Sequence, residues 1–586
     1  MTASPTPLPP PRHAWFSREG VLAAGVSLLV AVAVVSPFFF LGTASGHDIA
    51  FHMASWLDAA GQWRQGIVFP RWAEWPNYGY GEPRFVFYPP LSWLFGALLG
   101  SLIPWNAVAC AFIIFVQTFA GWSAYLLLRR LSDCRWARLF GAACFAANPY
   151  ALVIVYARSD FAELLAISFF PPLLLATLAL SGCLREDQGS GFRAIFAFAL
   201  SFCAIWLSNA PAAVIATYTV SFLFVSASLL RRSFWPVLRG GAGILLGLGG
   251  AAFYLIPAAY EQRWVNISSA VEAGLNPAAN FLYARTADAE HDAFNRVASN
   301  IAVLMLAWAG LALLAAWRQK SRAGSRPTSH LEPLLGALTI AVSLLMLPPA
   351  ALVWRFLPEL RFVQFPWRWM SVLALGAIVL TTMSVRGNLR RIWLLAAVLA
   401  IAGSGRYLAK HTWWDTEDMP TLEAALADGS GFEGTDEYDP AGDDHTEAAP
   451  KQPRARFLPH AQPNSEIFVD QWTAERRSLR AITPGPARLA VRLLDYPAWR
   501  VEVNGHSIAA QHREGSEQMI IPLAAGESRI DIQFKRTADR VIGGAISTLA
   551  VCGSIAMLIW RRQGPNALGV QRRSTAGCRT SWPCTI

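Results

Sequence analysis

The sequence predicts an all-α polytopic membrane bundle of about twelve transmembrane helices, carrying a small extracytoplasmic β-sandwich near its C-terminus. Three observations predict it. Of 586 residues, 54% are hydrophobic and 15% are charged, against roughly 25% charge in soluble domains. Uncharged apolar runs recur at the length a bilayer requires, roughly 20 residues. Basic residues occupy every second connection between those runs, as expected for loops that stay on the cytoplasmic side.

The first run, about 21–41, is too long for the apolar region of a cleavable signal, and no small-x-small site follows it, so it reads as a retained span. Further spans are expected at about 106–128, 138–156, 162–181, 194–208, 211–230, 240–258, 298–317, 332–348, 368–385, 391–405 and 541–560, of which the fifth and eleventh are short. The connections with Arg129, Arg130, Arg135 and Arg138, with Arg185 and Arg193, and with Arg231, Arg232 and Arg239 fall on one side. So do those with Arg318, Lys320, Arg322 and Arg326, with Arg386, Arg390 and Arg391, and with Arg561 and Arg562. That side is cytoplasmic, with both termini on it. The net charge of +10 therefore belongs to orientation. It does not call for nucleic acid, since no basic–aromatic recognition motif appears. The eight cysteines lie in spans or on the cytoplasmic side, so no structural disulfide is expected.

The opposite side carries the mass. A cytoplasmic stretch 1–20 leads into the transmembrane domain 21–405, whose first outer loop is 42–104. An extracytoplasmic segment 406–540 precedes the last span, 541–560, and a cytoplasmic tail 561–586 whose end, "STAGCRTSWPCTI", reads as unstructured. Its early part, 411–450, is acidic and has no Lys or Arg. Its later part alternates: Trp499, Val501 and Val503 precede an Asn504-Gly505 hairpin turn, and Ile530, Ile532 and Phe534 repeat the pattern. The sandwich is placed at about 457–535. Leu91 to Ile103 is too short to span and reads as a helix lying along the surface. "GILLGLGG", in the seventh span, reads as small-residue helix packing.

Three groups of polar residues sit at the outer ends of spans. His47, Asp48 and His52 follow the first span, and a helix starting there puts Asp48 and His52 on one face. Asp48 is then either an acid–base group or a helix N-cap. The three together could hold a divalent metal. Arg158, Asp160 and Glu163 in "YARSDFAE" sit between the third and fourth spans, as a substrate site or a local ion pair that shapes the turn. Arg361, Gln364 and Arg368 precede the tenth span, as phosphate ligands or an Arg/Trp interface belt. Arg71, Glu82 and Arg84 in the first loop are further substrate candidates.

"GHDIAFH", "PRWAEWPNYGYGEPRFVFYPPL", "NPYALVIVYARSDFAELLA" and "VQFPWRWM" resemble the bacterial membrane family called 6-pyruvoyl-tetrahydropterin synthase-related. "YPAWRVEVNG" is similar to the outer domain of YfhO-like proteins. The layout resembles the GT-C class of membrane glycosyltransferases, with an acidic residue after span one (Asp48) and a Pro89-Pro90 pair before a surface helix. That resemblance implies transfer of a sugar from a polyprenyl-phosphate donor to a surface glycan or lipid acceptor on the outer face. It implies that Asp48 acts on the acceptor hydroxyl and that arginines neutralise the leaving phosphate. The chain carries no nucleotide loop, which agrees with a lipid-linked donor. The rival readings are a lipid or glycan transporter, or a membrane scaffold without chemistry.

Overall fold

The computed structural model describes residues 17–184, 191–272, 274–323, 330–384, 389–443, 448–459, 461–513 and 516–563. Among the described residues ten helices are long and apolar enough to cross a membrane: Arg18–Leu41, Trp105–Leu128, Arg135–Arg158, Phe161–Leu180, Ala210–Arg231, Trp235–Trp264, Ala289–Gln319, Pro366–Ser384, Arg390–His411 and Ala538–Met557. An eleventh is a bent pair, Leu331–Leu345 and Pro348–Phe356, at 92° to each other. Pro348 and Pro349 supply the break, because proline cannot donate the next helical hydrogen bond. The run expected at 194–208 is the helix Gly191–Trp206, which at 16 residues is shorter than a full span. Arg185, Arg326, Arg386, Cys578, Cys584 and the ends before 17 and after 563 lie outside the described residues.

Small residues let the helices approach. A Cβ on Gly243 would lie 2.6 Å from the Phe198 ring, and one on Gly543 would lie 2.5 Å from the Ala252 carbonyl oxygen. These gaps seat Trp235–Glu261 between the helix Gly191–Trp206 and the last helix, where the Ser547 hydroxyl also accepts the Phe253 N–H at 2.8 Å and donates to the Gly249 carbonyl at 3.0 Å.

The first loop folds into the helix Ile49–Arg64, short turns, and the helix Pro90–Gly100, which packs on it. Gly96 faces the Trp56 ring so closely that a Cβ would lie 2.3 Å from it.

Among the described residues nine strands follow the acidic segment: β1 Ala455–Leu458, β2 Glu466–Thr473, β3 Arg476–Thr483, β4 Ala487–Leu494, β5 Trp499–Val503, β6 His506–Ile508, β7 Gln511–Arg513, β8 Ser516–Leu523 and β9 Gly526–Phe534. They form two antiparallel sheets, ordered β1-β4-β8-β7 and β2-β3-β9-β5-β6. The β5–β6 turn has Asn504 and Gly505 both at positive φ, 52° and 83°, as a type I′ hairpin requires. Leu479, Ile530 and Ile532 from one sheet meet Met519 and Ile521 from the other in a single buried core.

That core does not stop at the sandwich. Trp72, Tyr80, Val86 and Phe87 of the first loop belong to it, and the Trp72 ring lies 5.3 Å from Trp499 and 5.7 Å from Phe534. Arg71 binds Glu475 with two hydrogen bonds, at 3.0 and 2.5 Å. Buried Glu261, at the end of a long helix, accepts two 2.6 Å bonds from Arg540 of the last helix and one from the Tyr496 hydroxyl of the sandwich. Loop and sandwich thus form one layer at one end of the bundle.

Candidate functional site

The site forms where the first loop meets the break between two spans. The helix begun by Pro149 widens into a π-turn at Ile154–Arg158, and Ser159 then takes a left-handed conformation at φ 55°. The chain restarts at Asp160, whose carboxylate caps the helix Phe161–Ser168 by accepting the Glu163 N–H at 2.8 Å. The start of the first loop is stapled onto this break. The Asp48 N–H donates to the Arg158 carbonyl at 2.9 Å, the Gly46 N–H to the Ser159 hydroxyl at 3.1 Å, and that hydroxyl to the Ala44 carbonyl at 2.7 Å. Gly46 is required there: a Cβ would sit 2.4 Å from the Arg158 carbonyl carbon.

Two arginines and three carboxylates then converge. Arg158 donates through Nε to Asp48 Oδ2 at 3.1 Å, binds the same oxygen through Nη2, and meets Asp160 Oδ2 at 3.3 Å. Arg368 donates through Nε to Glu163 at 3.0 Å and through Nη2 to Asp160 at 3.4 Å, while its Nη1 reaches the Val363 carbonyl and the Gln364 side chain. The Tyr150 hydroxyl donates to Glu163. His52 Nε2 lies 3.6 Å from Asp160. Phe365 carries both guanidinium groups, each 4.9 Å from the ring centre. Burial alone would raise the Asp160 pKa, but His52, Arg158 and Arg368 hold it well below the usual carboxylate range.

Access is uneven. The side chains of Arg158, Asp160, Glu163 and Arg368 are at most 7% exposed, whereas Asp48 is 31% exposed. A buried charge is costly unless paired, and here the pairs are made. Among the described residues, Arg158 Nη1 is buried without a hydrogen-bond partner, as are His52 Nε2 and Trp367 Nε1 beside it. Asp48 stands at the start of Ile49–Arg64, yet its side chain makes no capping bond and goes to Arg158 instead.

Other predicted residues lie elsewhere. Arg361 is exposed and stacks on Phe362, 4.7 Å away, while Arg368, seven residues on, is buried. Glu82 and Arg84 pair at 2.6 Å and clamp Thr435, through its N–H at 3.0 Å and its hydroxyl at 3.1 Å. Arg71 joins loop to sandwich. His47, Asp48 and His52 do not converge on an ion. The His47 ring packs edge-on against Phe294, His52 turns to Asp160, and Asp48 is held by Arg158. Among the described residues no group of three or more metal-ligating side chains gathers. Sequence reasoning missed Tyr150 and Thr435. Tyr150 is one aromatic among many in an apolar run, so no local signal marked it.

A bundle of long apolar helices capped by a loop–sandwich layer defines a polytopic membrane protein. Within that class the chain belongs to the 6-pyruvoyl-tetrahydropterin synthase related family of membrane proteins, whose sequence model matches residues 85–412. No curated protein matches it. Solved structures similar to it include arabinofuranosyltransferase AftD from Mycobacteria, with TM-score 0.39 and 17% identity over 70% of this chain and 27% of that one. The apo Archaeoglobus fulgidus oligosaccharyltransferase has TM-score 0.39 and 15% identity over 68% of this chain and 56% of that one. Archaeal oligosaccharyltransferase AglB from Archaeoglobus fulgidus, in complex with an inhibitory peptide and a dolichol-phosphate, has TM-score 0.40 and 14% identity over 72% and 57%. The chain spans about a quarter to somewhat over half of these proteins.

Proposed function

We propose that this protein is a membrane glycosyltransferase that moves a sugar from a polyprenyl-phosphate carrier to a surface glycan or lipid. One observation carries the reading: a partly exposed carboxylate, Asp48, is paired with buried Arg158, next to a second buried arginine, Arg368, at the end of an apolar bundle. Transfer from a lipid phosphate needs a carboxylate to hold or deprotonate the acceptor hydroxyl. It also needs cations where phosphate charge develops. Arg158, with one buried donor unfilled, supplies the second requirement beside the first. In this reading the sandwich end faces the outside of a bacterial inner membrane, both termini are cytoplasmic, and residues 406–540 form the acceptor side. Asp160, Glu163, His52 and Gln364 position the arginines. Glu82, Arg84 and Arg71 fix the loop layer above them. No step is routed through a metal, because the three candidate ligands point apart.

A second reading, a scaffold or transporter without chemistry, is favoured by the completeness of the ion pairing at Asp160 and Glu163. Lipid extracts of a deletion strain separate the two. Loss of a transferase accumulates one polyprenyl-phosphate sugar, whereas an unchanged lipid-linked sugar profile favours the scaffold.

A further inference from the structure

We propose that the segment following the helix Leu331–Leu345 is a lipid-headgroup site, a crossbar in the bilayer surface that binds anionic phospholipid through Arg355 and Arg361. The inference does not need the transferase reading, because it rests on how the segment is held and on what it exposes.

Leu331–Leu345 has 15 residues, about 22 Å of helix against about 30 Å of hydrocarbon. The chain turns before it has crossed, and Pro348–Phe356 runs at 92° to it, along the membrane plane. Two bonds hold the crossbar. The Trp354 indole N–H donates back to the Leu345 carbonyl at 3.0 Å and pins the bend. Past the short helix, the Pro358 carbonyl accepts the Tyr218 hydroxyl at 2.8 Å. Tyr218 lies about two turns inside the span Ala210–Arg231, about 12 Å along it. That span starts at the loop end of the bundle, where the Leu207 carbonyl accepts the Leu91 N–H at 2.7 Å. The crossbar is therefore held against the flank of a span, below the span's end.

Its surface fits the boundary between lipid tails and headgroups. Leu352 and Phe356 are 66 and 77% exposed, and Val353 is exposed beside them. They continue the apolar face of the helix below, where Ile340 and Leu344 are also exposed. An apolar face continuous with a lipid-facing helix belongs in lipid. Arg355, Glu359 and Arg361 are exposed in the same stretch, and none of them makes an ion pair among the described residues. Charge at the lipid boundary is costly unless it meets a partner. An arginine can lay its stem along apolar surface and lift its head to the phosphate layer, where the planar fork binds two oxygens. Two arginines against one glutamate leave a net positive charge, which favours an anionic headgroup over a zwitterionic one.

The test places the full chain in vesicles of phosphatidylcholine and phosphatidylglycerol at about three to one. The photoreactive residue p-benzoylphenylalanine replaces Phe356, Leu344 on the helix below as a lipid-facing control, or Phe468 on β2 as a water-facing control. After illumination, lipid adducts are identified by mass spectrometry. Phospholipid should attach at Phe356 and Leu344 and not at Phe468. No adduct at Phe356, or adducts no more frequent than at Phe468, overturns the inference. The headgroups give the second readout. Phosphatidylglycerol should be about fivefold enriched among the Phe356 adducts relative to those at Leu344, the effect of one basic residue at a lipid surface. The double variant Arg355→Gln, Arg361→Gln should bring the enrichment down to the Leu344 level or below. No enrichment in the parent protein, or the same enrichment in the double variant, overturns the headgroup site and leaves only a crossbar embedded in lipid.

Discussion

Asp48 and Arg158 lie 110 positions apart, and Glu163 and Arg368 lie 205 apart, yet each pair shares a hydrogen bond. Sequence patterns expose spacing along one element, so they marked these residues as charges at span ends without revealing who pairs with whom. Arg361 and Arg368 looked alike in "RFVQFPWRWM". They part because Gln364 adopts positive φ, at 62°, and Pro366 restarts the chain, turning one arginine out and the other in. A stability contrast follows. Arg368→Met leaves buried Glu163 without its cationic partner and removes one of the two arginines at Asp160, and should cost about 3–5 kcal/mol. Arg361→Ala, at an exposed position, should stay within about 0.5 kcal/mol. Thermal unfolding in detergent reads both, and equal losses would contradict the placement. Glu437 carries a second signature. Its carboxyl binds the proton more tightly in the folded state than at the ordinary 4.5, up to about 7. The folded state therefore holds more protons in that window, and stability should fall as pH rises from about 4.5 to about 7. Glu437→Gln should flatten this slope, and an unchanged slope would assign it to other groups.

At the scale of elements, the apolar runs were legible because length and composition alone decide whether a helix can span. Every expected run is helical, including the bent pair, whose Pro348-Pro349 break was visible in the sequence but whose 92° angle was not. The hairpin at Asn504-Gly505 was legible for a similar reason, since that dipeptide favours the positive φ that the turn needs. The π-turn at Ile154–Arg158 was not, because nothing in an apolar run marks one wider turn. Its consequence is testable through Gly46, which lies against it. Gly46→Ala must push the loop off the Arg158 carbonyl, because the added Cβ would lie 2.4 Å from the carbonyl carbon. The variant should insert normally and lose transfer with Asp48 intact. Wild-type activity would show that the staple does not set the carboxylate.

For the whole molecule, the sequence separated bundle from sandwich but not the core they share through Trp72, because contacts between distant segments leave no periodic trace. Orientation is the first thing to measure. Compartment reporters fused after Ala323 and within the β5–β6 turn at Gly505 should report opposite sides, with Gly505 outside. The same side for both would remove the outer-face account. The central claim, that Asp48 is the accessible carboxylate of a sugar-transfer site, is tested most directly by one comparison. Purified wild type and Asp48→Asn are placed in liposomes with polyprenyl-phosphate sugar and a glycan acceptor, and transfer is measured. Asp48→Asn keeps the size of the side chain and one Arg158 contact but removes the charge. The account predicts a folded, inserted variant that transfers at least about a hundredfold more slowly. Transfer at the wild-type rate by folded Asp48→Asn would contradict it.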